Sequence, residues 1–162
     1  GFLPRTEDSL AVSGDGARYV IVNAAPSVGE QLRRTRELWP RDVRSTPIGV
    51  IVLTNGDLDH TLGLFSLRES QPLAIYATRT VREGLERNAI LKTLARFPGH
   101  TVFRDLVLGA ETTFSRTRPM SEPSSSAEKR RLRVRVSQRT TPAAYTSMRR
   151  VEGFARSCSG DM

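Results

Sequence analysis

Cysteine is almost missing from this chain: Cys158 stands alone, which excludes an internal disulfide framework. Histidine is scarce as well, with only His60 and His100. No apolar run approaches the ~20 residues needed to cross a bilayer. The longest is Ile48-Gly-Val-Ile-Val-Leu53, so membrane insertion is not expected. The N-terminus has no basic start followed by an apolar stretch, so no secretory leader is expected and the cytoplasm is the expected location. The first residue is Gly1 rather than Met, as in a processed or incomplete product. Apolar residues make up 38% of the 162 positions. That is below the roughly 45–50% usual when glycine is counted, so part of the chain is not expected to pack.

Charge is unevenly placed. Residues 1–113 carry 14 Lys/Arg and 13 Asp/Glu, while residues 114–162 carry 11 and 4. Nearly all of the net +8 therefore lies in the last third. The character changes near Thr112, which suggests a domain over 1–112 and a basic tail over 113–162, disordered or foreign to the domain. Within the tail, Lys129–Val136 alternates basic and apolar residues, as in a strand with one charged face or a disordered basic run. Clustered arginines could contact phosphates. Only Tyr145 and Phe154 supply aromatics nearby, so a solvated tail is the expected reading and nucleic acid is not the expected partner. Cys158 has no histidine near it in sequence and is not expected to be a nucleophile.

The front reads as α/β. Strands are expected over Ser9–Ser13 and Arg18–Asn23, joined by the turn formers Gly14-Asp15-Gly16. Ser27 and Glu30 have capping-box spacing for a helix running to about Leu38, before Pro40, with Trp39 packing at its end. Ile48–Thr54 is apolar on both faces, as in a covered central strand. A short helix over Leu62–Leu67, a strand Leu73–Ala77, and a helix capped by Thr78 or Thr80 follow, the last continuing toward Leu94. Thr101–Phe103 is the last expected strand, and His100 belongs to a surface turn.

Chemistry collects in the loop 55–60, at the carboxyl end of a strand, where α/β sites form. Asp57, Asp59 and His60 crowd into four positions there and offer the oxygen and nitrogen donors that zinc, iron or manganese take. Gly56 and Gly63 would let the backbone pass closely. On the residues alone the same loop is more readily read as a solvated acidic turn, in which Asp59 could cap the helix beginning near His60.

The string Leu53-Thr-Asn-Gly-Asp-Leu-Asp-His-Thr-Leu-Gly63 resembles the metallo-β-lactamase signature Thr-His-x-His-x-Asp-His-x-x-Gly. Thr54, Asp59, His60 and Gly63 match; Asn55 and Asp57 replace the two leading histidines. Arg5-Thr6, Ser9–Gly16, Asn23-Ala-Ala-Pro26, Pro40-Arg41, Arg44–Ile48, Leu67–Pro72 and Ile75–Thr78 resemble, in order, the coenzyme PQQ (pyrroloquinoline quinone) biosynthesis protein B family. The resemblance covers roughly residues 5 to 88. It implies part of a four-layer αββα metallo-β-lactamase-like sandwich, roughly its N-terminal half, with the basic tail outside it. It also implies a role in pyrroloquinoline quinone formation, either metal-dependent oxidation of a tyrosine in the precursor peptide or carriage of the quinone or its precursor toward the periplasm. The partner implied is that peptide or an intermediate. Carried over by position, Asp59 and His60 would be ligands to iron or zinc, Asp57 a weaker one, and Asn55 a hydrogen-bond partner behind the ligands or toward substrate. The family's opening Cys-x-Cys-x-x-Cys cluster and its later ligands have no counterparts here, and Ser27 replaces an Asp. Weak or absent metal binding is therefore expected, with activity in doubt. Half a sandwich leaves sheet uncovered, which favours self-association.

Overall fold

The computed structural model describes residues 9–41, 45–67, 72–88, 91–96, 99–114, 132–136 and 151–153. Expectations placed on Arg68-Glu69, Ile90, Pro98, the 122–127 linker, Tyr145, Phe154 and Cys158 lie outside these residues.

Five strands form one sheet in the order of the chain: β1 (Leu10–Val12), β2 (Tyr19–Val22), β3 (Ile48–Val52), β4 (Leu73–Ala77) and β5 (Thr101–Asp105). The first pair is an antiparallel hairpin. Its turn is held by Ser13 Oγ, which accepts from the Gly16 amide (2.8 Å), and by Asp15 Oδ1, which accepts from the Ala17 and Arg18 amides (both 2.9 Å). Gly16 takes φ 67°, a left-handed conformation that glycine adopts without a Cβ clash. From β2 to β5 all pairings are parallel. Parallel neighbours require crossovers, and these carry the helices.

The β2–β3 crossover holds α1 (Val28–Arg34) and a 3₁₀ turn, Arg36–Leu38. The single long helix expected from the sequence is thus broken at Thr35. The Trp39 indole donates to the Arg33 carbonyl (3.0 Å) and takes up a backbone acceptor at the end of α1, while its ring stays half exposed. The expected capping box does not form, since Ser27 makes no side-chain cap bond. Glu30 instead turns along the helix to Arg33 and Arg34, both at 2.8 Å. Arg33, and then Arg34, lower the Glu30 carboxyl from its ordinary pKa. A carboxylate lowered in the folded state adds stability above its unfolded pKa and loses it as pH falls through the lowered one. Glu30→Gln is therefore expected to melt below the parent at neutral pH, with the gap closing as the solution is acidified past the ordinary glutamate range; thermal melts from pH 7 to pH 3 would check this.

Between β3 and β4 come α2 (Leu58–Thr61) and a 3₁₀ stretch, Leu62–Leu67. Between β4 and β5 come α3 (Arg79–Arg87) and a 3₁₀ stretch, Leu91–Arg96. Thr78, not Thr80, caps α3: its hydroxyl accepts from the Val81 amide. Arg82 of α3 reaches Asp105 at the end of β5 (2.6 Å) and Glu86 (2.8 Å). Asp105 chiefly, then Glu86, holds that guanidinium more firmly protonated.

Strand side chains alternate between two apolar faces. Ile21, Ile51, Leu53, Leu73, Ile75 and Ala77 pack on the helices through Val28, Leu38, Leu64, Leu67, Leu85 and Leu94. On the other face, Val20, Val22, Val50, Val52, Ala74 and Tyr76 pack with Leu106 and Phe114. Phe114 belongs to a second sheet of β6 (Glu111–Phe114), β7 (Leu132–Val136) and β8 (Val151–Gly153), all antiparallel. Its ring meets Tyr76 edge-on at 4.8 Å. The layers are therefore helices, the five-stranded sheet, then the three-stranded sheet, the order of the first three layers of an αββα sandwich. β6 crosses the boundary expected at residue 112, and β7 and β8 fall within the 113–162 stretch. Among the described residues no helix is long and apolar enough to cross a membrane.

Candidate metal centre

The carboxyl ends of β2 and β3 deliver the residues that matter. Asn23, the residue after β2, is buried and has φ 61°, a left-handed conformation that is uncommon outside glycine. Its amide still bonds the Val52 carbonyl (2.8 Å), and the left-handed residue then turns the chain onto the loop after β3. There the Ala24 amide donates to the His60 carbonyl and the Gly63 amide to the Ala24 carbonyl, both at 2.8 Å. Gly63 is needed for this approach: a Cβ there would lie 2.1 Å from the Ala25 carbonyl oxygen. Gly56, expected to serve the same end, has only the Val81 methyl at 3.9 Å, an ordinary contact.

A chain of side-chain hydrogen bonds runs through the site. Asn23 Oδ1 accepts from the Thr54 amide (3.0 Å) and the Thr54 hydroxyl (2.9 Å). His60 Nδ1 lies 3.4 Å from Thr54 Oγ1 and 2.5 Å from Asn55 Oδ1. Asn55 Oδ1 also accepts from the Asp57 amide (3.1 Å). A backbone amide can only donate, so the Asn55 atom it meets is the oxygen. An oxygen acceptor facing Nδ1 favours a proton on Nδ1. The neutral imidazole is then the Nδ1–H tautomer, and Nε2 holds the free lone pair.

Asp59 Oδ2 lies 3.8 Å from that Nε2, with the carboxylate 64% exposed and the imidazole 21%. Two donors about 2.1 Å from a tetrahedral ion lie about 3.4 Å apart, so a small side-chain rotation fits this pair to one metal. Asp57 occupies the N-cap of α2 but makes no side-chain cap bond; the cap expected of Asp59 is not formed either, since Asp59 is inside the helix. Among the described residues no group of three or more His, Cys, Asp or Glu converges to hold a metal. The structure thus brings Asp59 and His60 together and places Asn55 behind the histidine. His100 is remote in role: its carbonyl accepts from the Leu73 amide (2.8 Å) beside β5.

An α/β sheet flanked by helices, with a Thr-x-x-x-x-Asp-His-x-x-Gly loop at a strand's carboxyl end, defines a class. A family model described as a beta-lactamase superfamily domain matches residues 18–147, and the chain belongs to that superfamily. The metallo-beta-lactamase fold protein YhfI from Bacillus subtilis shares the fold, with a TM-score of 0.56 over 88% of this chain and 48% of its own, at 13% identity. Within the superfamily the chain falls in the coenzyme PQQ synthesis protein B family. It is 51% identical over 94 residues to coenzyme PQQ synthesis protein B of Methylobacterium nodulans, covering 57% of this chain and 31% of that protein. The crystal structure of Zn2+-bound PqqB from Methylobacterium extorquens matches with a TM-score of 0.66 and 33% identity, covering 83% of this chain and 43% of that one. The chain spans about a third of the length of that curated relative.

Thr54 and Gly63 were visible in the sequence as parts of the signature. Asn23 was visible only as part of a matching string, and nothing in its neighbours announced a left-handed residue bonded across two strands.

Proposed function

We infer that this domain acts in pyrroloquinoline quinone formation, in the manner of coenzyme PQQ synthesis protein B, and that its Asp59–His60 pair forms one wall of a metal site. One observation carries this reading: His60 is held through Nδ1, so Nε2 presents its lone pair beside the Asp59 carboxylate at the carboxyl end of the central sheet. Sequence similarity to the family supports it. Asp57, on the same loop, is a weaker candidate ligand, and Asn55 orients the histidine from behind. The loop would take iron or zinc; a redox-active iron with an open coordination position would supply the redox chemistry through which dioxygen, the oxidant, accepts electrons and hydroxylates a tyrosine ring in a precursor peptide. His60 and Asp59 would hold the ion, and the Asn55 and Thr54 side chains keep the imidazole from rotating.

The test uses a full-length relative. Residues 9–88 of this chain would replace the matching segment of the Methylobacterium nodulans protein, and quinone accumulation would be measured in a bacterium lacking its own copy. The chimaera is expected to restore the quinone, and His60→Ala within it to remove at least nine-tenths of the yield, since ligand loss typically costs far more than the 10–100-fold seen for partners behind the ligands. A His60→Ala chimaera that makes the quinone at the parental rate would contradict the oxidation reading and favour a carrier role.

A further inference from the structure

We propose that Asn23 is a positioning residue for His60, acting through the Thr54 hydroxyl to keep the imidazole in the Nδ1–H form. This deepens, and rests on, the assignment of His60 Nε2 as the metal-facing donor. A hydroxyl has one proton to give and lone pairs to accept with. Asn23 Oδ1 takes that proton at 2.9 Å, and the Thr54 amide at 3.0 Å fixes which amide atom of Asn23 faces it. The Thr54 oxygen therefore presents a lone pair, not a hydrogen, toward His60 Nδ1 at 3.4 Å. Nδ1 then faces two acceptors, Thr54 Oγ1 and Asn55 Oδ1, and both favour a proton on it, against the pull of the Asp59 carboxylate 3.8 Å from Nε2. Without Asn23 the Thr54 hydroxyl can turn round and offer its proton to Nδ1 in competition with Asn55, which would shift the balance toward a proton on Nε2, where the Asp59 carboxylate can accept it, and away from the lone pair a metal needs.

The backbone at Asn23 serves the same end. Its φ of 61° is tolerated by asparagine better than by most side chains, and the residue is buried where water cannot replace its carbonyl. A left-handed turn alone would be met by glycine; the added side chain is explained by the two bonds to Thr54.

The experiment is a nitrogen spectrum of the chain labelled with 15N-histidine, at a pH where imidazoles are neutral. Only two histidines contribute, and His100→Gln assigns them. The parent is expected to show a protonated Nδ1 and an unprotonated Nε2 for His60; a parent spectrum with the proton on Nε2 overturns the proposal without any variant. Asn23→Gly keeps the backbone turn and deletes the acceptor. It is expected to move the tautomer ratio about fivefold toward Nε2–H, the ratio one neutral hydrogen bond is worth. Adding Thr54→Val removes the hydroxyl that would donate, and the Nδ1–H form is expected to return. Asn23→Asp keeps an acceptor oxygen and is expected to leave the parental tautomer. An unchanged ratio in folded Asn23→Gly, or no return in the double variant, contradicts the relay. Zinc added to the parent distinguishes the underlying reading: a His60 Nε2 resonance that zinc does not move refutes the metal assignment while leaving the tautomer result standing.

Discussion

Gly63→Ala is expected to destabilise the chain by about 3 kcal/mol, at the upper end of the ~1–3 kcal/mol that overpacking costs. The added methyl would meet the Ala25 carbonyl at 2.1 Å, the Ala24 carbonyl at 2.7 Å and a Val28 methyl at 2.6 Å. Two of these are backbone atoms, which cannot rotate away as a side chain can. Relief requires the 62–67 stretch to lift from the end of β2. That movement breaks the Gly63–Ala24 and Ala24–His60 bonds, each worth about 1 kcal/mol. The His60 carbonyl is one of the anchors, so the candidate metal loop loosens with it. Gly84→Ala is the control: it lies in α3 with nothing within 4 Å of a new Cβ and is expected to stabilise by about 0.5–1 kcal/mol. Urea unfolding of the two variants should move in opposite directions. A Gly63→Ala midpoint equal to the parent's would mean that the close approach is not there.

Ile51→Ala is expected to cost about 3–4 kcal/mol, within the ~2–5 kcal/mol range for such truncations. Ile51 is fully buried in β3, the strand that delivers the loop. It is in register with Ile21 on one side and Ile75 on the other, a row of isoleucines across three parallel strands. Strands held on both sides cannot close over the gap, so the cavity persists. A domain of this size has about 5–15 kcal/mol in total, so much of the margin would go. Denaturant midpoints read the loss; a drop below about 1 kcal/mol would show that the site collapses or that β3 is not central.

The parts of the fold legible in the sequence were those set by long patterns. Ile48–Val52 and Leu73–Ala77 are apolar on both faces, and only a strand covered on both sides uses such a run. The missing capping box was not legible, because Glu30 has two competing partners. Capping-box spacing points it back to Ser27, yet the paired arginines one turn ahead draw it forward. Nor was the split of the strand faces between helices and a second sheet, since Phe114 packs on Tyr76 from 38 positions away and no local pattern records it. At the site, the closeness of Asp59 and His60 follows from their adjacency in the sequence, whereas a ligand role for them was implied only by the family resemblance. The reason that Gly63 is glycine, and that Asn23 is left-handed, lies in contacts between the ends of β2 and the loop after β3, which exist only once the sheet has formed.

The most direct measurement of the central claim is a zinc titration of the purified chain beside its His60→Ala variant, followed by calorimetry. A full set of zinc ligands is worth about 10–16 kcal/mol. Two donors from one loop supply about half of that, which corresponds to a Kd between about 1 µM and 200 µM. The account predicts binding in that weak range, abolished by His60→Ala. Tight, stoichiometric binding that survives His60→Ala would contradict it, by placing the metal on residues other than the Asp59–His60 wall.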